Sequence, residues 1–225
     1  MAIKEKLQVA IDGPAGSGKS TVAKIIAKNF AFIYIDTGAM YRAVTLYAKI
    51  NQIDYENEEQ LSEQVATISL TFVPADPVQR VILDGQDVTE AIRSEEITNN
   101  VSLVSSYKKI REEMTERQRQ MTEGASVVMD GRDIGTTVLP KAQVKIFLVA
   151  SVEQRAARRF KENQTKGFRV SLEELKDEII LRDYKDSHRL ISPLKKASDA
   201  VTIDTSYLSI DQVVEKISEI IKTRA

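Results

Sequence analysis

Residues 13–21 read Gly13-Pro14-Ala15-Gly16-Ser17-Gly18-Lys19-Ser20-Thr21, a match to G-x-x-x-x-G-K-[ST]. Glycines at these spacings let backbone amides turn inward and approach an anion closely, and a helix starting where the loop ends adds partial positive charge. The flanks supply the required frame. Residues 7–11 form a short apolar run suited to a buried strand, and from Thr21 onward Val22, Ile25, Ile26 and Phe30 recur at helical spacing. Strand, glycine loop and helix thus stand in the order of a phosphate cradle, with Lys19 placed to reach β and γ phosphates and the Ser20 hydroxyl placed for Mg²⁺. The overlapping Gly16-x-Gly18 has Thr21 where a dinucleotide fingerprint needs its third glycine, which disfavours NAD.

Working outward, residues 32–35 are a second apolar run, and Asp36-Thr37 opens a helix through Met40, Val44 and Tyr47. Alternating strands and helices favour a parallel sheet. That rhythm then breaks. A helical stretch near 58–68 precedes strands at 70–73 and 80–83, and Asp84-Gly85 is a hairpin turn signal before a third strand at 86–88. This predicts a small antiparallel insert. Helical patterns resume at Ser94, and apolar runs at 126–129, 144–149 and 200–203 bring the core strands to five. A last helix opens at Ser209 and carries Val213, Val214, Ile217 and Ile220 on one face. The expected fold class is α/β, in three α/β/α layers around a five-stranded parallel sheet.

Composition narrows the chemistry. A chain of 225 residues is long enough for one large domain with a proper core. It has no cysteine, hence no disulfide framework, thiol nucleophile or iron–sulfur cluster, and its one histidine leaves little for the common zinc ligand sets. Lys plus Arg number 32 against 33 Asp plus Glu, so no overall basic field advertises nucleic acid or an anionic membrane, and any anion site must be local. No stretch resembles a signal peptide or reaches the ~18 apolar residues of a membrane span. The expectation is a cytoplasmic monomer with small-molecule partners. Glycine is scarce, 9 in all, yet Gly13, Gly16 and Gly18 fall together, and Gly38, Gly131 and Gly135 stand in the other motifs described below.

Two apolar stripes turn polar. Positions 104, 107, 111, 114, 118 and 121 step by three and four as Val104, Tyr107, Arg111, Met114, Gln118 and Met121, which places an arginine on the apolar face of one helix. In a second helix Leu172, Leu175 and Ile179 continue at the same spacing into Arg182, Asp186 and Arg189. A buried guanidinium without a partner is strongly unfavourable, so these residues should meet an acid, a phosphate or a ligand; the alternative is that both faces simply emerge into solvent.

A third cluster, Asp130-Gly131-Arg132-Asp133-Ile134-Gly135, follows the strand at 126–129. An acid closing a buried strand lies at the carboxyl edge of a parallel sheet, where ligands of open α/β folds bind, so Asp130 is placed for magnesium. Equally, Asp130 and Asp133 could be helix caps or turn residues. Arg155, Arg158 and Arg159 start a helix capped by Ser151 with Gln154 completing a capping box, and Ser171 with Glu174 forms a second box. The intervening residues 161–169, with Gly167, read as a mobile basic loop, either a lid over phosphates or a solvated loop.

With these residues in view, the chain resembles the nucleoside monophosphate kinases, and among them the bacterial cytidylate kinase family. The residues that carry the resemblance are DGPAGSGKST at 12–21, IDTGAMYRA at 35–43, DGRDIG at 130–135, QRAARR at 154–159 and LRDYKDSHR at 181–189, so it covers nearly the whole chain. It implies a single P-loop kinase domain over 1–225, with a monophosphate-binding insert at 60–100 and a lid at 155–170. The implied reaction moves the γ-phosphoryl group of MgATP to CMP, and to dCMP, giving ADP and CDP or dCDP. ATP would be held by Gly13, Pro14, Ala15, Gly16, Ser17, Gly18, Lys19, Ser20 and Thr21. Arg42, Arg132 and Arg189 would hold the acceptor phosphate, Ser102, Arg111 and Asp133 would read cytosine, Arg182 and Asp186 would hold the sugar, and Thr37 completes the CMP set. Catalysis is implied for Lys19, Asp36, Arg132, Arg158 and Arg159, with Asp36 or Asp130 reaching the metal through water. Some relatives have Gly-Lys-Gly-Thr where this chain has Gly-Lys-Ser-Thr, which leaves both Ser20 and Thr21 open as the hydroxyl on the metal.

The chemistry agrees with the composition. An ionised phosphate acceptor needs no strong general base, and the work is to bring two anions together and neutralise the migrating group, for which the arginine fork is suited. Cytosine offers an amino donor to Asp133 and acceptors to Arg111, whereas uracil presents an oxygen to the carboxylate. Competing readings are a phosphoryl transferase for another nucleotide or for shikimate, a small GTPase and a nucleic-acid-dependent ATPase. The GTPase lacks its D-x-x-G and N-K-x-D signatures here, and the ATPase lacks a basic surface and a stacking motif. His188 is assigned no role.

Overall fold

The structure, a computed structural model, describes residues 6–73, 75, 79–165 and 170–224. In chain order β1 (Gln8–Asp12) leads through the glycine loop to α1 (Lys19–Phe30), β2 (Ile33–Asp36) and α2 (Thr37–Ile50). Then come α3 (Glu58–Gln64) with a 3-10 turn at Val65–Thr67, β3 (Leu70–Val73), β4 (Arg80–Leu83), β5 (Gln86–Asp87), α4 (Glu95–Val104) and α5 (Lys108–Gln120). The chain finishes with β6 (Val127–Gly131), a π-helical turn at Ile134–Val138, β7 (Val144–Val149), α6 (Val152–Thr165), α7 (Leu172–His188), β8 (Val201–Asp204) and α8 (Ile210–Arg224). Among the described residues, no helix is long and apolar enough to cross a membrane.

Two compact units result, one of Met1–Ile35 with Met121–Ala225 and one of Asp36–Gln120. The first holds the five-stranded sheet in the order β2-β6-β1-β7-β8, with β1 parallel to β6 and β7, and β7 parallel to β8. Both faces of its central strands are covered, which explains their unbroken apolar runs. Val9 and Ile11 join Val22 and Ile26 of α1 and Val213, Ile217 and Ile221 of α8 on one side, while Ala10, Val127 and Met129 pack with Ile134 and Val138 on the other. The buried face of α8 therefore includes Ile221, with Ile220 only partly covered. Where β1 ends, Gly13 has φ +148° and a Cβ there would lie 2.1 Å from the Leu148 carbonyl oxygen, so the backbone can pass only without a side chain.

Helix caps set the boundaries. Ser171 and Glu174 make the reciprocal box expected of them, and so do Ser209 and Gln212. The box at Ser151 is only half formed: its hydroxyl accepts from Gln154 N–H, but its own N–H donates to Ser206 Oγ. The expected basic loop is helical as far as Thr165, the end of α6, and its remainder at 166–169, with Gly167, lies outside the described residues. Arg189, expected within the last turn of α7, is its C-cap in extended conformation.

In the second unit, Asp36 N-caps α2 by accepting from Ala39 N–H at 2.8 Å, and α2, whose Ala43, Val44 and Ala48 are buried, packs against β4, α4 and α5. The antiparallel sheet β3-β4-β5 turns at Asp84 and Gly85, both with positive φ (47° and 81°), as a two-residue hairpin requires. The stripe expected on one helix is divided between α4 and α5. The break falls after Val104, yet Val104, Tyr107, Arg111, Met114 and Gln118 are all buried.

Candidate functional site

The glycine loop organises the first unit. Lys19 Nζ, buried, donates to the Pro14 carbonyl at 2.6 Å and to Ser17 Oγ at 3.4 Å. Burial and then the charge of Arg132 push its pKa well below the ordinary lysine value, with Asp130 and Asp12 opposing and Arg182 adding to the fall. Arg132 and Arg182 thus bring positive charge to bear on Lys19, and Asp130 and Asp12 negative charge.

Asp130 is held by both carboxylate oxygens. Ser20 Oγ donates to Oδ2 and Tyr34 OH to Oδ1, each at 2.8 Å. Thr21 is exposed. A hydroxyl and a carboxylate together are hard oxygen donors of the kind Mg²⁺ takes, so the residues present suit that ion. Asp133 leads into the π-helical turn without a side-chain cap bond.

Arginine–acid pairs surround this centre. Arg132 Nε donates to Asp186 Oδ2 at 2.8 Å, and Arg189 Nη2 to Asp133 Oδ1 at 3.2 Å. Burial would raise the Asp186 carboxyl, but the charges of Arg132, Arg182 and Arg189 and the Arg132 bond outweigh it and hold it below the usual range. Thus the charged continuation of the α7 stripe does not emerge into solvent at Asp186, which is 5% exposed. Of the arginines in α6, Arg158 reaches the loop through the Gly16 carbonyl at 3.4 Å and also bonds Thr205, whereas Arg159 points elsewhere and pairs with Glu178 at 3.2 Å.

Three residues here carry more than the sequence suggested. Arg155 was legible only as one of three arginines. It is buried and spans from the Ala15 carbonyl of the loop (3.1 Å) and the Ala150 carbonyl (3.0 Å) to Asp183 of α7 (2.6 Å). Tyr34 looked like one more member of an apolar strand, and no pattern marks its hydroxyl. Asp12, an acid closing a buried strand just as Asp130 does, could have been found by the same rule.

In the second unit, Arg111 is 2% exposed, donates from Nη1 to the Ser105 carbonyl at 3.0 Å and lies with Cζ 5.2 Å from the Tyr41 ring centre. Arg42 Nη2 is 3.3 Å from Asp36 Oδ2. Both Asp36 oxygens are thereby engaged, one as N-cap and one with Arg42. Thr37 is the buried first residue of α2, and Ser102 is half-buried on α4. Gly38 sits in the first turn of α2, within the helix itself.

The cytidylate kinase family model matches residues 9–223. A cytidylate kinase of Ligilactobacillus salivarius is 57% identical over 220 residues, covering 98% of both chains. One of Leuconostoc mesenteroides is 58% identical over 215 residues, covering 96% of both. Among solved structures, an uncharacterized protein from Eubacterium ventriosum superimposes with a TM-score of 0.54 at 13% identity over 98% of this chain and 100% of its own, a likeness of fold alone.

Proposed function

The chain belongs to the cytidylate kinase family, and from that membership we infer that it transfers the γ-phosphoryl group of ATP to CMP, giving ADP and CDP, with dCMP as a second acceptor. The observation that carries this reading is a buried Lys19 in the glycine loop, in the same unit as the Arg132–Asp186 and Arg189–Asp133 pairs. Two phosphate-bearing substrates repel each other, and a cluster of cations fixed in advance offsets that repulsion without reorganising during the reaction.

Within this reading the loop from Gly13 to Thr21 holds the donor phosphates and Lys19 follows the γ-phosphoryl group. Arg132 and Arg189 hold the acceptor phosphate, each oriented by its acid through one nitrogen, since a guanidinium has five donors to share. Asp133 takes the cytosine amino group, and Arg182 and Asp186 take the sugar. Arg42 is assigned to phosphate binding, Arg111 and Ser102 to base recognition, and Thr37 to CMP binding; the Tyr41 ring and the Ser105 carbonyl fix Arg111 in place. Ser20 would hold Mg²⁺, with Asp36 or Asp130 reaching it through water; the ion, when bound, would neutralise charge on the β and γ phosphates. Arg158 and Arg159 serve as lid arginines in a lid at 155–170, and the monophosphate-binding insert lies at 60–100. The protein is proposed to be a cytoplasmic monomer, and a net charge of −1 offers no overall basic field for nucleic-acid or membrane partners.

A coupled ADP-release assay with MgATP against CMP, dCMP, UMP, AMP, GMP and shikimate tests the whole. CMP should stimulate ADP release most; no stimulation by CMP overturns the reading.

A further inference from the structure

Asp12 ends β1 one residue before the glycine loop, and its side chain is buried at 4% exposure. Oδ1 accepts from Ile134 N–H at 2.8 Å and Oδ2 from Gly135 N–H at 2.7 Å, across 122 and 123 residues of chain. Two successive amides on the two oxygens of one carboxylate fix both the distance and the orientation of the backbone that bears them. That backbone directly follows Arg132 and Asp133, whose side chains pair with Asp186 and Arg189.

The contact is tight from the other side as well. A Cβ at Gly135 would lie 3.4 Å from Asp12 Oδ2 and 3.2 Å from Lys145 Cδ. Lys145 has little room to retreat, because it is buried and its Nζ bonds the Pro140 carbonyl at 2.6 Å and Asp199 at 2.8 Å. Burial pushes the Asp12 carboxyl up to about 7 against the pull of the two amides.

We propose that Asp12 is a positioning residue for acceptor binding: by clamping the Ile134 and Gly135 amides it sets Arg132 and Asp133 in place relative to the phosphate loop that begins at the next residue. The proposal rests on the cytidylate kinase reading for the roles of Arg132 and Asp133.

Asp12→Asn tests it, because the amide keeps the shape but offers one acceptor oxygen and sets an NH₂ against the second backbone N–H. In steady-state kinetics KM for CMP should rise about tenfold or more, as misplacement of a binding group near the reacting centre does, with KM for ATP within about twofold of wild type. Hydrogen exchange at the Ile134 and Gly135 amides should quicken. Gly135→Ala, which presses on the clamp from the opposite side, should give the same split, and it carries the test if Asp12→Asn does not fold. A folded variant in which both KM values rise together, or neither changes, overturns the proposal, as does unchanged exchange at these two amides. If wild-type protein shows no CMP-stimulated ADP release, the family reading has failed instead, and the exchange rates alone decide whether the clamp exists.

Discussion

Ser20 Oγ lies 2.8 Å from Asp130 Oδ2, although 110 residues of chain separate them. The start of α1 and the end of β6 are joined there at the carboxyl edge of the sheet, and Tyr34 OH holds the other oxygen of the same carboxylate. The neighbouring hydroxyl, Thr21, is exposed and one helical step away.

Of these two adjacent hydroxyls only Ser20 is set against the carboxylate, and different effects of removing them are expected. Ser20→Ala should lower kcat/KM at limiting Mg²⁺ by about 10- to 100-fold, the usual effect of removing a group that orients a metal site. Thr21→Ala should stay within about twofold of wild type. A Mg²⁺ titration of the initial rate distinguishes them, and a larger loss in the Thr21 variant would move the metal's hydroxyl to that residue.

Gly13→Ala should be among the most damaging single substitutions in the chain. The added carbon would sit 2.1 Å from the Leu148 carbonyl oxygen, a clash between two backbones that no rotamer change relieves. A loss of about 4 kcal/mol or failure to fold is expected in urea denaturation. At Gly18 a Cβ meets nothing within 4 Å, and only the positive φ of 89° opposes it, so Gly18→Ala should lose about 1 kcal/mol.

The Arg132–Asp186 pair makes stability depend on acid. The folded Asp186 carboxyl sits below its ordinary 3.8, so its contribution is complete above that value and is lost as pH falls through the lower, folded value. Near pH 7, Asp186→Asn should destabilise by about 3 kcal/mol, since it leaves a largely buried guanidinium without its counter-charge. In denaturant titrations the gap between wild type and variant should narrow as pH falls below 3.8 and close once pH passes the lower, folded value. A gap that does not narrow with falling pH would mean that the substitution acts through packing and not through charge.

What the sequence made legible follows from how local each signal is. The phosphate loop, the hairpin at Asp84-Gly85 and the capping box at Ser171 are written in contiguous residues, and each forms as read. The break between α4 and α5 was hidden because Val104 and Tyr107 keep the phase of the stripe across it; periodicity reports which face is buried, not whether the helix is continuous. Arg111 stood out on that stripe, but its partners, the Ser105 carbonyl and the Tyr41 ring, could not be seen from spacing. The Asp12 clamp was equally hidden, since its partners are backbone amides more than a hundred residues away, and a backbone amide has no residue type to read.

The same limit applies to Arg158 and Arg159, which a motif treats alike and the helix does not. Consecutive residues of α6 point about 100° apart, and the two guanidinium groups meet different neighbours. Arg158 lies against the phosphate loop at the Gly16 carbonyl and bonds Thr205, whose own hydroxyl donates to the Ser17 carbonyl. Arg159 makes a half-exposed ion pair with Glu178, of a kind that contributes about 0–1 kcal/mol. A cation beside the loop can follow charge onto the migrating phosphoryl group, whereas one engaged on α7 must first leave its partner. Arg158→Ala should therefore depress kcat by about a hundredfold while KM for CMP changes by less than about threefold, the signature of an interaction made in the transition state. Arg159→Ala should change kcat by less than about tenfold. Steady-state kinetics with CMP varied at saturating MgATP measure both, and a larger loss of turnover in the Arg159 variant would reverse the assignment.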